Sequence, residues 1–548
     1  MEGSCYKDTQ NSIVLNPKND ESEKLSDLLF FIVKGISVVN TYLRNNGQGN
    51  SEADRFIPEA LYLTVANTNY NSAVISDYIN SAVRLKNNLI LEAEKAGIHV
   101  PGYDEVVFSP EYDEYTECAE HIPAEDQNPE TKYIRRVVAC AVKGASSYVY
   151  HAFRLGYESE DIYELMQSAL TEISHPVMSP DEIIKSISYA ADCSLRAISF
   201  IDLANIRTFG DQEETLVNLE PGNKPGILVS GHDLKDLEDL LRQTKGKGID
   251  VYTHSDLLPA NCYVKLKKYR HFVGNYGNSW CNQAEDFRAF NGPILVTSNC
   301  LVIPDGCYRN RMYTANVAGC PGTTHILSYK KWRNSKDFSE IIEHAKNCKP
   351  PERIEKGHVL AGFSHHELIA KAKIIAEKLS TGMLKKIVVI AGCDGRVELK
   401  DYFTGFALSL PYDNVILTAG CVKFRFNRME FGDIDGIPRV IDAGQCNDVF
   451  SIILFVNRLM EVLCVRNIND LPVEYHLAWS GQKAITLLLA FLSRGIRNIH
   501  IGPSTKGFIP IRVIETLNDI YGSDAVKSDY RSMGSYDYQL KEELSVSE

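Results

Sequence analysis

Six apolar, β-branched runs in the second half of this chain each lead, within a few residues, to a side chain that can bind a metal. Run 226–230 leads to His232, 249–253 to Asp256, 293–297 to Cys300, 386–390 to Cys393, 414–418 to Cys421 and 439–442 to Cys446. Glycines stand close ahead of four of these ligands, as Gly231, Gly392, Gly420 and Gly444, and permit close backbone approach. Thiolates dominate the set, which favours an iron–sulfur or other soft-metal centre over magnesium or calcium. His232 and Asp256 add a hard end to that soft one. A plain four-cysteine electron-transfer cluster needs neither, so the mixture suits a catalytic centre that keeps oxygen ligands and admits substrate.

Elements of a particular kind must bring these residues together. Short apolar runs that alternate with amphipathic helical stretches (234–244, 365–379, 448–465, 482–494) indicate parallel sheets covered by helices. In such sheets ligands bind beyond the carboxyl ends of the strands. A seventh run, 497–501, continues the pattern, and Lys349-Pro350-Pro351 breaks it into two α/β units. The first 215 residues differ, with apolar residues at helical spacing over 26–42, 70–96, 133–155 and 180–205. Ser179-Pro180-Asp181-Glu182 supplies a cap, a proline and two acids at one helix start. The polar stretch 104–130 reads as a long loop. The expected architecture is multidomain α and α/β: a helical-bundle domain (1–215) followed by two Rossmann-like parallel-sheet domains (216–355 and 356–548). No close internal sequence repeat accompanies the two α/β units.

Composition narrows the partners. A length of 548 residues exceeds one hydrophobic core, and a net charge of −13 disfavours nucleic acid. The Lys423-Phe424-Arg425-Phe426 pattern is too short to change that. No run reaches the roughly 20 uninterrupted apolar residues of a membrane span, and the first residues lack a secretion-signal pattern. The expected location is the reducing cytoplasm, where fourteen cysteines are not a disulfide framework. No CxxC pair occurs. Cys140, Cys193 and Cys464 read as small core residues. The turn 391–395 does not fit GxGxxG, so no nucleotide cofactor is expected.

Longer motifs carry a family likeness. Gly231-His232-Asp233-Leu234, residues 253–260, Gly274-Asn275-Tyr276-Gly277, residues 293–300, Gly392-Cys393-Asp394-Gly395, residues 420–427 and 444–448 together resemble hybrid cluster protein, the prismane or hydroxylamine reductase family. The resemblance implies one Fe4–S2–O2-type hybrid cluster between the α/β domains, ligated by His232, Cys300, Cys393, Cys421, Cys446 and two carboxylates. It makes Cys393 the persulfide-bearing position and Lys483 a proton and charge donor. It also implies reduction of hydroxylamine to ammonia, with nitric oxide reduction a further activity, a small nitrogen-oxide substrate, and an electron-donor protein.

Three departures qualify the likeness. Asp256 stands where the family has a glutamate, one methylene longer. Trp479-Ser480-Gly481-Gln482-Lys483 puts a glycine where the family's second glutamate ligand lies. At the N-terminus, Cys5 has Asp8 in place of its partner and the next cysteine is Cys118, so no N-terminal [4Fe-4S] or [2Fe-2S] cluster is expected. Two readings therefore stand: an active reductase with a modified cluster, or a degenerate member that keeps the fold and serves as a non-catalytic metal-binding or sensing protein. Kinship to nickel-containing carbon monoxide dehydrogenase is a third. His254, Asn299, Asn427 and Asn447 are read as loop-ordering residues, and Cys262, Cys281, Cys307 and Cys320 as neutral.

Overall fold

A computed structural model describes residues 20–110, 114–123, 129–327, 335–393, 400–479, 481–502 and 511–528. Cys5 and Asp8 lie outside the described residues.

The front half is a helical bundle. Its long helices are α1 (Asp20–Asn45), α2 (Ser51–Leu63) and α3 (Ser72–Lys95), then α6 (Pro129–Arg154), α7 (Glu160–Glu172) and α8 (Pro180–Phe209). Between them lie α4 (Asp104–Val107) and α5 (Tyr115–Glu120), so the stretch expected as a loop holds two short helices. Ser179 caps α8 as the sequence indicates. Its hydroxyl accepts the Glu182 N–H while the Glu182 carboxylate accepts the Ser179 N–H. Among the described residues, α1 is the one helix long and apolar enough to cross a membrane; 72% of that window is buried. Its apolar face is already covered by neighbouring helices, as in the core helix of a bundle.

Chain direction then changes. Strand β1 (Thr215–Asn218) pairs antiparallel with β8 (His358–Ala361), tying together the two crossings between units. Strands β2 (Gly226–Ser230), β3 (Asp250–His254), β4 (Phe272–Asn275), β5 (Ile294–Val296), β6 (Met312–Ala315) and β7 (Thr324–Ile326) form one parallel sheet in the order β4-β3-β2-β5-β6-β7. The second sheet uses β9 (Lys386–Cys393), β10 (Asn414–Ala419), β13 (Val440–Asp442), β14 (Val473–Trp479), β15 (Ile499–Ile501) and β16 (Val526–Ser528), all parallel, in the order β13-β10-β9-β14-β15-β16. A separate hairpin, β11 (Asp433–Ile434) with β12 (Ile437–Pro438), precedes β13. Ranked along the chain, both large sheets have the order 3-2-1-4-5-6. The repeat absent from the sequence is present in the topology.

Helices α9 (Leu234–Thr244), α10 (Gln283–Ala289) and α11 (Ser339–Lys346) accompany the first sheet. Helices α12 (His365–Ser380), α13 (Lys400–Ser409), α14 (Phe450–Leu463), α15 (Gln482–Ser493) and α16 (Ile511–Tyr521) accompany the second. Helix α15 packs on α6 and α8, and one continuous apolar core joins the bundle to the second sheet. The approach is close: a Cβ on Gly144 of α6 would lie 2.1 Å from the Thr486 hydroxyl of α15. That contact locks the start of α15, where Lys483 sits, against the bundle.

Candidate metal centre

In a parallel 3-2-1-4-5-6 sheet the strand order reverses between the first and fourth strands, and the crevice at their carboxyl ends is where ligands bind. In the first sheet this point lies between β2 and β5, whose following residues include His232 and Cys300. In the second it lies between β9 and β14. There Cys393 pairs in register with Trp479, and Gly481 and Lys483 follow at the start of α15. The second strands deliver Asp256, after β3, and Cys421, after β10; the third strand of the second sheet delivers Cys446. All six expected ligands therefore leave the carboxyl edges of two sheets with the same strand order.

Their atoms converge in two groups. His232, Asp256 and Cys446 are buried and offer ligand atoms that all lie within 4.8 Å of one another. Cys300 and Cys421 pack with Trp280, and Cys393 borders the same cluster. A hard end and a soft end are thus both present, and each draws on both α/β units.

Local structure holds each donor. His232 Nδ1 lies 3.0 Å from the Ser298 hydroxyl, which also accepts the His232 N–H at 2.7 Å. Nε2 lies 3.2 Å from Asp256 Oδ2 but is not aligned for a hydrogen bond. Burial and the Lys483 charge lower the His232 pKa to about 4, so the imidazole is neutral near pH 7, as a ligand must be. Burial pushes the Asp256 carboxyl up, but His232, Lys423 and the Cys446 N–H, donating to Oδ2 at 2.9 Å, together hold it well below the usual carboxylate range. Cys300 adopts a left-handed backbone with φ of +73°. The Gln283 amide secures it by donating to the Cys300 carbonyl and accepting the Val302 N–H. Gly420, with φ of +84°, admits no side chain: its Cβ would meet the Gly392 carbonyl at 2.7 Å and Cys446 Sγ at 3.0 Å.

The site residues fit a metal cluster on the structure's own terms. His232 Nε2 and Asp256 Oδ1 are buried polar atoms without hydrogen-bond partners among the described residues. Four thiols beside them are pushed up in pKa: Cys393 first by Cys421, Cys421 first by Cys300, Cys446 first by burial, and Cys300, against the lowering effect of Cys421, by burial. Thiols held this way gain most from a metal that takes their protons.

Several expectations need correction. Asn299 accepts the Tyr62 hydroxyl at 2.8 Å and its amide lies 3.6 Å from Cys300 Sγ; Asn447 accepts from Lys483 at 3.3 Å. Among the described residues both side chains bond other side chains and not a loop backbone. Asn427 Nδ2 and Oδ1 have no hydrogen-bond partner among the described residues. Cys281 borders the thiol cluster instead of standing apart. Cys464 is exposed at the left-handed end of α14, not a core residue, whereas Cys140 and Cys193 are buried. Cys262 and Cys320 lie in apolar cores and Cys307 is exposed. His254 bonds Ser230 and Asp286, and so orders its loop.

Other residues at the site went unread in the sequence. Tyr62, His151 and Tyr148 come from the bundle: the Tyr62 hydroxyl lies 3.2 Å from His151 Nε2, and the Lys483 ammonium sits 5.1 Å from the centre of the Tyr148 ring. Nothing local in the sequence distinguishes these aromatics from core residues. Trp280 was findable, three residues after the Gly274–Gly277 motif. Lys423 donates to both Asp442 oxygens at 2.8 and 3.0 Å and joins the loops that carry Cys421 and Cys446.

Known proteins resemble this chain along most of its length. The sequence matches the Prismane/CO dehydrogenase family over residues 17–528. The chain belongs to that family. It is 43% identical over 508 residues to a hydroxylamine reductase of Thermoanaerobacter pseudethanolicus, covering 92% of each chain. It is 43% identical over 514 residues to one of Bacteroides fragilis, covering 93% of this chain and 94% of that one. Among solved structures, carbon monoxide dehydrogenase IV of Carboxydothermus hydrogenoformans matches with a TM-score of 0.57 at 15% identity, covering 100% of this chain and 90% of that one. The carbon monoxide dehydrogenase of Thermococcus sp. AM4 gives 0.52 at 18%, covering 95% and 86%. These two establish the shared fold. Membership of this family, with four converging thiols, implies an iron–sulfur centre.

Proposed function

We propose that this chain is an oxidoreductase of the hydroxylamine reductase type, holding one hybrid iron–sulfur–oxo cluster between its two α/β units. The observation that carries the reading is the convergence of a hard group (His232, Asp256, Cys446) and a soft group (Cys300, Cys421, Cys393) at one place. Relatives named hydroxylamine reductase, alike over more than nine-tenths of both chains, support the substrate class. The reaction takes two electrons and two protons, cleaves the N–O bond of hydroxylamine and releases ammonia and water.

When bound, the cluster would supply the electrons for that cleavage, and His232, Asp256 and the four cysteines would hold it. Lys483, buried between Asn447 and the Tyr148 ring, places an ammonium near the hard end, where a leaving hydroxide needs a proton. The bundle, through Tyr62, Tyr148 and His151, excludes bulk water. Electrons come from a donor protein directly, because Cys5 alone cannot hold a second cluster; nitric oxide is a further candidate substrate. The working location is the cytoplasm, without nucleic acid or membrane partners.

Iron and acid-labile sulfide per chain after anaerobic purification test the reading, on wild type and on Cys421→Ala. About four irons with fewer sulfides, sharply reduced in the variant, is the expected result. Folded wild type with no iron would overturn it. Gly481, which offers no side-chain ligand, favours the second reading of a metal-holding but non-catalytic relative. Iron-replete protein that does not turn over hydroxylamine would establish that alternative.

A further inference from the structure

Trp280 is only 3% exposed, yet its indole N–H has no hydrogen-bond partner among the described residues. A buried donor left unpaired is costly, so such a group points to an acceptor that arrives from outside the polypeptide or from sulfur. The ring is not free to seek another partner. It begins the 3-10 turn Trp280–Asn282, entered from Asn278, whose N–H donates to Asp286 at 2.8 Å. The same carboxylate oxygen lies 3.1 Å from His254 Nε2, tying the turn to the end of β3. Gly277, with φ of +76°, brings the chain so close that a Cβ would lie 2.5 Å from the Asp286 carboxylate. Against this fixed backbone the indole packs on Cys300 and Cys421, with Val302 and Cys393 at its border.

We propose that the Trp280 indole N–H donates a hydrogen bond to the sulfur that Cys393 presents at the metal centre, and thereby sets the reduction potential of the bound cluster. This rests on the proposed cluster. Trp280 is a positioning and tuning residue; it does not touch substrate. Sulfur is a diffuse, polarisable acceptor, and an N–H directed at it draws off negative charge. That stabilises the reduced, more negative state and raises the potential. The Trp280 indole is within reach of the Cys393 thiol as a donor. In this chain the donor adds to the loss of a carboxylate at Gly481, which moves the potential the same way.

The test uses anaerobically purified holoprotein, wild type and Trp280→Phe, which keeps a ring and deletes the N–H. Iron and labile sulfide are counted first. The midpoint potential is then measured by EPR-monitored titration. Ultraviolet resonance Raman reads the indole N–H marker band in iron-loaded and iron-free wild type. The expected result is unchanged iron, a more negative midpoint in the variant, and a wild-type marker band that moves to the bonded position only with iron present. Trp280→His, which restores a ring N–H, should return part of the potential. An iron-replete Trp280→Phe with the wild-type midpoint overturns the inference and leaves the cluster standing. If the variant fails to load iron, a marker band that is the same with and without iron in wild type overturns it. Wild type without iron overturns the cluster and this inference together.

Discussion

The buried ion pair under the sulfur loops has a cost that can be worked out. Lys423 is enclosed and donates to both oxygens of Asp442, at 2.8 and 3.0 Å, and to the Gly444 carbonyl at 2.8 Å. Burial opposes its charge, but Asp442 and Asp256 outweigh burial and raise its pKa. Lys423→Met keeps most of the stem and deletes the charge. Among the described residues, Asp442 is then left inside the protein with the Gly444 N–H at 2.9 Å as its one remaining donor. Breaking a buried pair from one side costs about 3–5 kcal/mol, because the stranded charge is not resolvated. With a denaturant slope of about 3 kcal/mol per molar, the urea midpoint of the iron-free protein should fall by roughly 1–2 M. Adding Asp442→Asn removes the stranded charge, so the double variant should be more stable than Lys423→Met alone. Far-UV circular dichroism across wild type, both single variants and the double variant measures this cycle. A Lys423→Met midpoint within roughly 0.5 M of wild type would refute the reasoning, as would a double variant at or below the sum of the singles. Iron retention should fall as well, since Asp256 loses its nearby cation.

Gly481 has an extended backbone and no atom of the described residues within 4 Å of where its Cβ would point. Gly481→Glu should therefore fold normally and, by adding a carboxylate beside the cluster, move its midpoint negative in an EPR-monitored titration. Gly420→Ala, at φ of +84° and with a Cβ 2.7 Å from the Gly392 carbonyl, should destabilise by about 2 kcal/mol or more and lose iron, read by denaturation and metal analysis. Tyr62→Phe deletes the hydroxyl joining Asn299 and His151 and should cost about 1–2 kcal/mol on urea denaturation. His232 titrates near 4 in the folded chain and near 6.5 unfolded, so the unfolded chain binds more protons between these values. Its contribution is present in full above pH 6.5 and is lost as pH falls toward 4, and His232→Asn should flatten that slope in the iron-free protein.

The candidate ligand positions were legible because parallel strands buried on both faces read as unbroken apolar runs, and each candidate lies at or within a few residues of a strand's carboxyl end. Strand β2 and helix α9 match their sequence ranges at both ends, and α8 begins at its cap as read. Strand β14 was missed because it carries Glu474 and His476, which interrupt the apolar run that marks a buried strand. Strands β6 and β7 have four and three residues, too few for any periodicity to register. The polar stretch 104–130 hid α4 and α5, whose few turns hold too little apolar surface to show a pattern.

The sequence by itself determined which side chains leave the strand ends, their soft and hard donor types, and the absence of a carboxylate at position 481. The tertiary structure decided which of them meet. The shared strand order puts both reversal points at one crevice, so His232 and Asp256 of one unit close on Cys446 of the other. It also decided what surrounds them: Tyr62 reaches Asn299 across 237 residues, and Trp280, its N–H buried, packs on Cys300 and Cys421. The physical reason is one of range. A strand or a helix start is fixed by neighbours along the chain, whereas the partner of a buried polar atom is fixed by packing between elements far apart in sequence.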